Sequence, residues 1–282
     1  VLKNLLMSVP QVRYYRLKHR PRAGIRYTGE SDQLERYAFQ PLRSFDAAGI
    51  DVSGRTVLEI GPGDFLTSGF SILGAGAAAY TSLDRYVGDY GSLEGREWYE
   101  AIQSQWPRFF PDRPWPNYLD ASNFPEYEPR VTSLNLPIER AGEIGQFDLV
   151  CSFQVGEHVS SIESFANATA SMLKQGGTAI HRVDFGPHGA WRQVNNPLAF
   201  LKPPEWVWRA SGSHRGIPNR RRFHHFLEAF ESAGLETEVV ERLVLPDASR
   251  FLDSLPTRYR GMDPQSVATM SAVFVASRSI ET

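Results

Sequence analysis

The sequence predicts an α/β fold organised around a mostly parallel sheet, and three observations predict it. The run Thr56-Val57-Leu58-Glu59-Ile60 ends in Gly61-Pro62-Gly63-Asp64, so a short apolar strand delivers an acidic residue and then two glycines at a tight turn. That is how a first Rossmann strand ends where a nucleoside-bearing ligand must approach the backbone closely, and glycine at 61 and 63 removes the Cβ that would block the approach. Farther on, Ala79-Tyr80-Thr81-Ser82-Leu83-Asp84 reads as a second strand closing on a carboxylate, placed to accept hydrogen bonds from ribose hydroxyls. Third, the apolar run from Phe147 to Phe153 and the turn Gly176-Gly177-Thr178 announce two more strands of the same kind.

The elements follow in chain order. From Val1 to Tyr27 the chain carries Lys3, Arg13, Arg16, Lys18, Arg20, Arg22 and Arg26, with no acid before Glu30. Such a run suits weak contact with an anionic membrane surface or an acidic substrate, and is more often a solvated arm. Leu34, Tyr37, Ala38, Leu42 and Phe45 then fall near helical spacing, with Pro41 as a break point. Between the second and third strands, residues 88–130 interleave aromatic residues with six prolines, which predicts an irregular segment beyond Trp106. Its aromatic content argues against disorder and for rings pinning the segment to the domain, with stacking on an acceptor as the alternative.

The third strand is expected at Arg130 to Leu134 and the fourth at Phe147 to Phe153. Ser160 and Glu163 have the spacing of a capping box, and Ile162, Phe165, Ala166, Met172 and Leu173 supply the apolar face of the helix it would start, ended by Gly176-Gly177. In the fifth strand, alternation sets His181 and Val183 on one face and Arg182 and Asp184 on the other. A helix from about Arg222 to Ala233, a sixth strand near Leu235 to Val240 and a seventh near Ser271 to Ser277 complete the pattern. The Arg220-Arg221-Arg222 run reads either as a grip on an acceptor phosphate or carboxylate or as a solvated helix start.

In order, the glycine turn, Leu83-Asp84-Arg85, the segment Phe147 to Val159 and Leu173-Lys174-Gln175-Gly176-Gly177-Thr178 make the chain resemble the class I S-adenosylmethionine-dependent methyltransferases. The four segments span roughly Val57 to Asp184. The Gly-Pro-Gly-Asp form of the turn and the region after the fifth strand look closest to methyltransferases of polysaccharide biosynthesis. The resemblance implies a Rossmann-like seven-stranded sheet with helices on both faces and lid insertions. It divides the chain into an arm and cofactor-covering helix at 1–50 and a methyltransferase domain at 51–282, with insertions at about 88–130 and 185–222. The cofactor implied is S-adenosylmethionine. Glu59, Gly61 and Gly63 would frame its methionine end, Asp84 with Arg85 its ribose, Ile138 or Glu139 its adenine, and Gln154 the cleft floor. Where some relatives hold a metal with Glu-x-x-Glu-His, this chain has Gln154-Val155-Gly156-Glu157-His158, so one anionic ligand is missing and no metal is expected.

Three residues are candidate bases for an oxygen acceptor. His158 falls just before a predicted helix start, where the dipole disfavours imidazolium; Asp184 and His188 follow the fifth strand at the mouth of the cleft. The function expected is O-methylation of a hydroxylated small molecule or saccharide. A nicotinamide-dependent sugar dehydrogenase or epimerase would share the first two strands but needs a third glycine where Leu66 stands. A non-catalytic cofactor-binding scaffold is the other alternative. Over 282 residues the net charge is −2, which argues against a nucleic-acid partner, and the single cysteine, Cys151, excludes an intrachain disulfide and points to a reducing, cytoplasmic setting.

Overall fold

The computed structural model describes residues 26–211 and 218–280; the basic arm at residues 1–25 lies outside the described residues. Seven strands form one sheet: β1 Thr56–Ile60, β2 Ala79–Asp84, β3 Val131–Asn135, β4 Phe147–Phe153, β5 Leu173–Asp184, β6 Glu236–Val244 and β7 Thr269–Ser277. Their order is β3-β2-β1-β4-β5-β7-β6, with β7 antiparallel to both neighbours and the other pairs parallel. The expected Rossmann-like sheet is therefore present. It differs from the all-parallel dinucleotide order 3-2-1-4-5-6 by the antiparallel strand set between the fifth and sixth.

Helices cover both faces. On one, Phe39, Phe70, Trp98, Tyr99 and Trp106 pack with Val57 and Leu149; on the other, Phe165, Phe226 and Phe230 pack with Leu58, Val150 and Phe274. Each strand thus sends alternate apolar side chains to opposite cores. A smaller cluster around Leu201, Trp208 and Tyr259 sits beyond the C-terminal ends of the parallel strands.

The segment before β1 consists of α1 (Ser31–Leu34), a π-helical turn Glu35–Phe39, and α2 (Gln40–Ala47), with Pro41 in the first turn of α2. Pro41 has no N–H to give the Tyr37 carbonyl four residues back. The Thr67 hydroxyl donates to it at 2.7 Å, at the start of α3 (Thr67–Gly74). The sequence break therefore joins the covering segment to the first sheet-packed helix.

Three local expectations need correction. Residues 88–130 are not a bare loop: α4 runs Leu93–Phe109, capped by Ser92, and tolerates Pro107 in its last turn, where the tight aromatic cluster of Phe39, Trp106 and Phe110 holds it. The cap of α5 (Ile162–Met172) is Ser161, whose Oγ accepts from Ser164 N–H at 3.0 Å; Ser160 instead donates to Glu139 at 2.8 Å. That helix ends at Met172, and Gly176 and Gly177 fall within β5, ahead of the stretch from Thr178 that pairs with Leu149 to Phe153.

Beyond β5 come α6 (Glu205–Ser211) and α7 (Phe223–Ser232). The three arginines before α7 are neither free nor solvated as a set. Arg222 is fully buried and donates to the carbonyls of Phe185 (2.8 Å), Val267 (2.6 Å) and Thr269 (2.5 Å), while Arg220 is buried against Glu205 and the Pro203 carbonyl. Two of the three arginines tie the post-β5 segment to its neighbours rather than facing an acceptor. Among the described residues, no helix is long and apolar enough to cross a membrane.

Candidate active site

The site lies outside the C-terminal ends of β1, β2, β4 and β5, where an open α/β sheet leaves a crevice. Three cavities meet there. The first, about 300 Å³, lies under Arg36, Tyr37 and Gln40 and is floored by Gly61, Gly63 and Glu59. The second, about 490 Å³, runs from Gly61 and Gly63 past Asp84 and Arg85 to Ile138, Glu139 and His158. The third, about 460 Å³, is walled by Asp184, Arg182 and Arg192 with Val194, Leu243, Leu245 and Met270. Gln154 lines all three.

Gly61 and Gly63 take φ of +71° and +86°, conformations that L side chains enter only with strain. Their surroundings differ. A Cβ at Gly61 would lie 2.6 Å from Val155 Cγ2, whereas one at Gly63 would meet nothing within 4 Å and would project into the open cavity. Gly61 lets β1 pack against the turn after β4, and Gly63 leaves open space at the cavity floor.

Glu59 is 3% exposed; its carboxylate accepts from Ser68 Oγ at 2.6 Å and from the Tyr80 hydroxyl. Burial raises its pKa, opposed by those two donors. It floors the first cavity but is engaged by the protein itself. The Tyr80 ring reaches it because Gly69 of α3 has no side chain: a Cβ there would sit 2.4 Å from the ring.

At the end of β2, Asp84 Oδ1 accepts from the Tyr86 N–H at 2.7 Å. Arg85 pairs with Glu139 at 3.1 Å across the second cavity. Partial burial pulls the Glu139 carboxyl upward, but its own backbone N–H, Ser160 and Arg85 together hold it below its ordinary value. The residues expected at a cofactor are thus brought together around two connected cavities, Ile138 and Glu139 being supplied by a 3-10 turn after β3.

Gln154 leaves β4 in the left-handed region, φ +60°, with its N–H donating to Arg182 of β5 at 2.8 Å. The chain then makes the 3-10 turn Gly156–His158. Asn219 latches it, donating to the carbonyls of Gly156 (2.9 Å) and Glu157 (2.7 Å). Gly156 permits the fit, since a Cβ would stand 2.9 Å from Phe226.

The candidate bases are gathered as well. Asp184 Oδ1 accepts from the Gly186 N–H at 2.7 Å, and its Oδ2 stands 3.2 Å from His188 Nε2, an ion-pair distance off the line of a hydrogen bond. Burial raises Asp184, but His188, the Gly186 N–H and Arg192 hold its carboxyl below the ordinary value. The His158 and His188 rings are 5.1 Å apart. Partial burial, then the neighbouring His188, keep His158 below its usual pKa, so the ring is neutral near pH 7. The cause differs from the one expected: α5 starts four residues later, and its dipole falls off within the first turn.

Glu157, beside His158, was not among the expected site residues. It is 3% exposed, and neither carboxylate oxygen has a hydrogen-bond partner. Burial pushes its carboxyl up to about 8, and Asp184 adds to the effect. His181, by contrast, faces away from the cleft, buried between Ser152 Oγ (2.8 Å) and Thr169 Oγ1 (3.3 Å), and burial lowers it to about 3.

Other wall residues escaped the sequence reading. Arg192, Val194, Leu243, Leu245 and Met270 carry no local signal, because it is the β6–β7 hairpin and the post-β5 segment that fold them together.

No family model matches the sequence, and no curated protein does. Solved structures with a similar fold include an S-adenosylmethionine-dependent methyltransferase from Mesorhizobium loti, 14% identical with a TM-score of 0.46, covering 84% of this chain and 96% of that one. An O-methyltransferase family protein from Burkholderia thailandensis is 12% identical at a TM-score of 0.47, over 99% of this chain and 71% of that one. A phosphoethanolamine N-methyltransferase from Haemonchus contortus is 16% identical at 0.48, over 86% and 52%. These are likenesses of fold.

Proposed function

We propose that the protein is an S-adenosylmethionine-dependent methyltransferase that modifies a hydroxyl oxygen of a small-molecule or saccharide acceptor. The observation that carries the proposal is the meeting of three cavities at Gln154, two lined by the glycine turn with Glu59, Asp84 and Glu139 and one walled by a candidate proton acceptor.

The residues present fit this cofactor better than a dinucleotide. A diphosphate needs free N–H groups at the helix that follows β1. Here the Leu66 N–H, just ahead of α3, is taken by the Tyr99 hydroxyl at 3.2 Å, and that hydroxyl donates onward to the Tyr90 carbonyl. Leu66 itself is fully buried where a third glycine would be required. Gly63, with open space where a Cβ would project, and Asp84 at the end of β2 both line the second cavity, where a nucleoside without a diphosphate would sit.

When bound, S-adenosylmethionine would supply an electrophilic methyl on a sulfonium, a group that leaves as a neutral thioether when an acceptor oxygen takes the methyl. The protein's part is positioning and proton removal. Asp84 and Glu139 hold the nucleoside end, and the segment around Tyr37 closes over the other end. In the third cavity Asp184, kept ionised, accepts the hydroxyl proton, and His188 beside it shares the resulting change of charge.

Calorimetry with S-adenosylmethionine, S-adenosylhomocysteine and NAD tests the reading. Binding of the first two and not of NAD is expected, with severe loss in Asp84→Ala. Binding of NAD alone would reassign Asp84 to a dinucleotide ribose, and binding of none would leave a scaffold.

A further inference from the structure

Between the second cavity, which His158 lines, and Asp184 on the wall of the third lies a cluster with more ligating chemistry than proton removal requires. Glu157, His158 and His188 each present a ligand atom, and these atoms all lie within 4.8 Å of one another. Glu157 Oε1 is 4.0 Å from His158 Nε2. Both oxygens of Glu157 are buried with no hydrogen-bond partner, an arrangement that is costly unless something pairs with them. The 3-10 turn that carries Glu157 has its backbone held by Asn219, and the side chain is buried.

We propose that Glu157, His158 and His188 bind a divalent transition-metal ion between the second cavity, which His158 lines, and Asp184 on the wall of the third. Two imidazoles and one carboxylate form a three-ligand set that suits Zn²⁺ and its neighbours rather than Mg²⁺ or Ca²⁺, which prefer all-oxygen shells. Three protein ligands leave a position open, as at catalytic rather than structural zinc sites. Asp184 lies alongside, its Oδ2 3.2 Å from His188 Nε2, so its negative charge stands next to the ion-binding cluster. The spacing between Gln154 and His158 shows only two of these ligands; the third arrives from the far side of β5.

This deepens the proposed function and rests on its assignment of the third cavity to the acceptor. A bound ion would polarise the acceptor hydroxyl and lower its pKa, leaving Asp184 to receive the proton.

The test is calorimetric titration of the chelator-treated full chain with Zn²⁺, without S-adenosylmethionine, so its outcome does not depend on cofactor binding. One site per chain is expected, weakened at least tenfold in Glu157→Gln and in His188→Ala, with no comparable binding of Mg²⁺. Because either variant could lose its fold, thermal melting is run alongside: Zn²⁺ should raise the midpoint of the wild type and not that of folded variants. Co²⁺ should give a visible d–d spectrum that His188→Ala abolishes. No stoichiometric binding, or binding that survives His158→Ala and His188→Ala but is lost in His224→Ala, where the half-buried His224 and His225 rings lie 3.8 Å apart, would overturn the proposal.

Discussion

Replacing Gly61 by alanine should damage the protein in two separable ways. The first is conformational: at φ +71°, a side chain costs about 1–2 kcal/mol. The second is steric: the new Cβ would sit 2.6 Å from Val155 Cγ2, and relieving such an overlap costs about 1–3 kcal/mol. Gly63 provides the control, because its φ of +86° imposes the first cost and its empty surroundings remove the second. Urea unfolding should therefore show Gly63→Ala losing about 1–2 kcal/mol and Gly61→Ala losing about 2–5 kcal/mol. In a double-mutant cycle, Val155→Ala should return the steric part and leave the conformational part, a coupling of about 1–3 kcal/mol in the restoring direction. Cofactor affinity should reverse the order of severity: Gly63→Ala pushes a methyl into the cavity and should weaken binding more per unit of stability lost. Equal stability losses for the two glycines, or no coupling between 61 and 155, would refute the account of this turn.

Three further outcomes are expected. Against the upward pull of its partial burial, Lys174 (2.8 Å) and the Thr56 hydroxyl and N–H (2.7 and 2.8 Å) hold Asp148 at about 2. Its folded pKa is below the unfolded one, so its contribution is present above about pH 4 and lost as pH falls towards 2, and Asp148→Asn should flatten that part of a stability–pH curve by about 1 kcal/mol. Thr67→Val leaves the Tyr37 carbonyl without its donor and should cost about 1–3 kcal/mol in urea unfolding, together with weaker cofactor binding in calorimetry. Arg222→Met strands three buried carbonyls and should cost about 3–5 kcal/mol, read as a lower urea midpoint; an unchanged midpoint would mean the guanidinium's burial cancels its bonds.

The strands were legible because each is an apolar run closed by a residue with its own signal: Gly61 after β1, Asp84 after β2, Gln154 after β4. The fold follows from that punctuation, and so does the gathering of Gly61, Gly63, Asp84 and Gln154 around the second cavity. The antiparallel insertion of β7 was not legible, since Ser271 to Ser277 reads alike in either direction. Hence the third cavity, whose Leu243, Leu245 and Met270 depend on that hairpin, stayed hidden. The same holds for Arg222: three arginines in a row look solvated until the carbonyls of Phe185, Val267 and Thr269 close around one of them. Ser160 and Ser161 show a smaller version, in which neighbouring hydroxyls have equal local claims on the cap and tertiary contact with Glu139 decides between them.

Gln154 has its backbone fixed by Arg182 and its side chain exposed where all three cavities join. Any occupant that sets the orientation of this one amide also sets what the neighbouring compartments meet. The two ligands of a transfer reaction would then be thermodynamically linked through a single rotamer, and linkage is reciprocal: the factor by which the donor alters acceptor affinity is the factor by which the acceptor alters donor affinity. Order of addition and product retention would both trace to the same side chain.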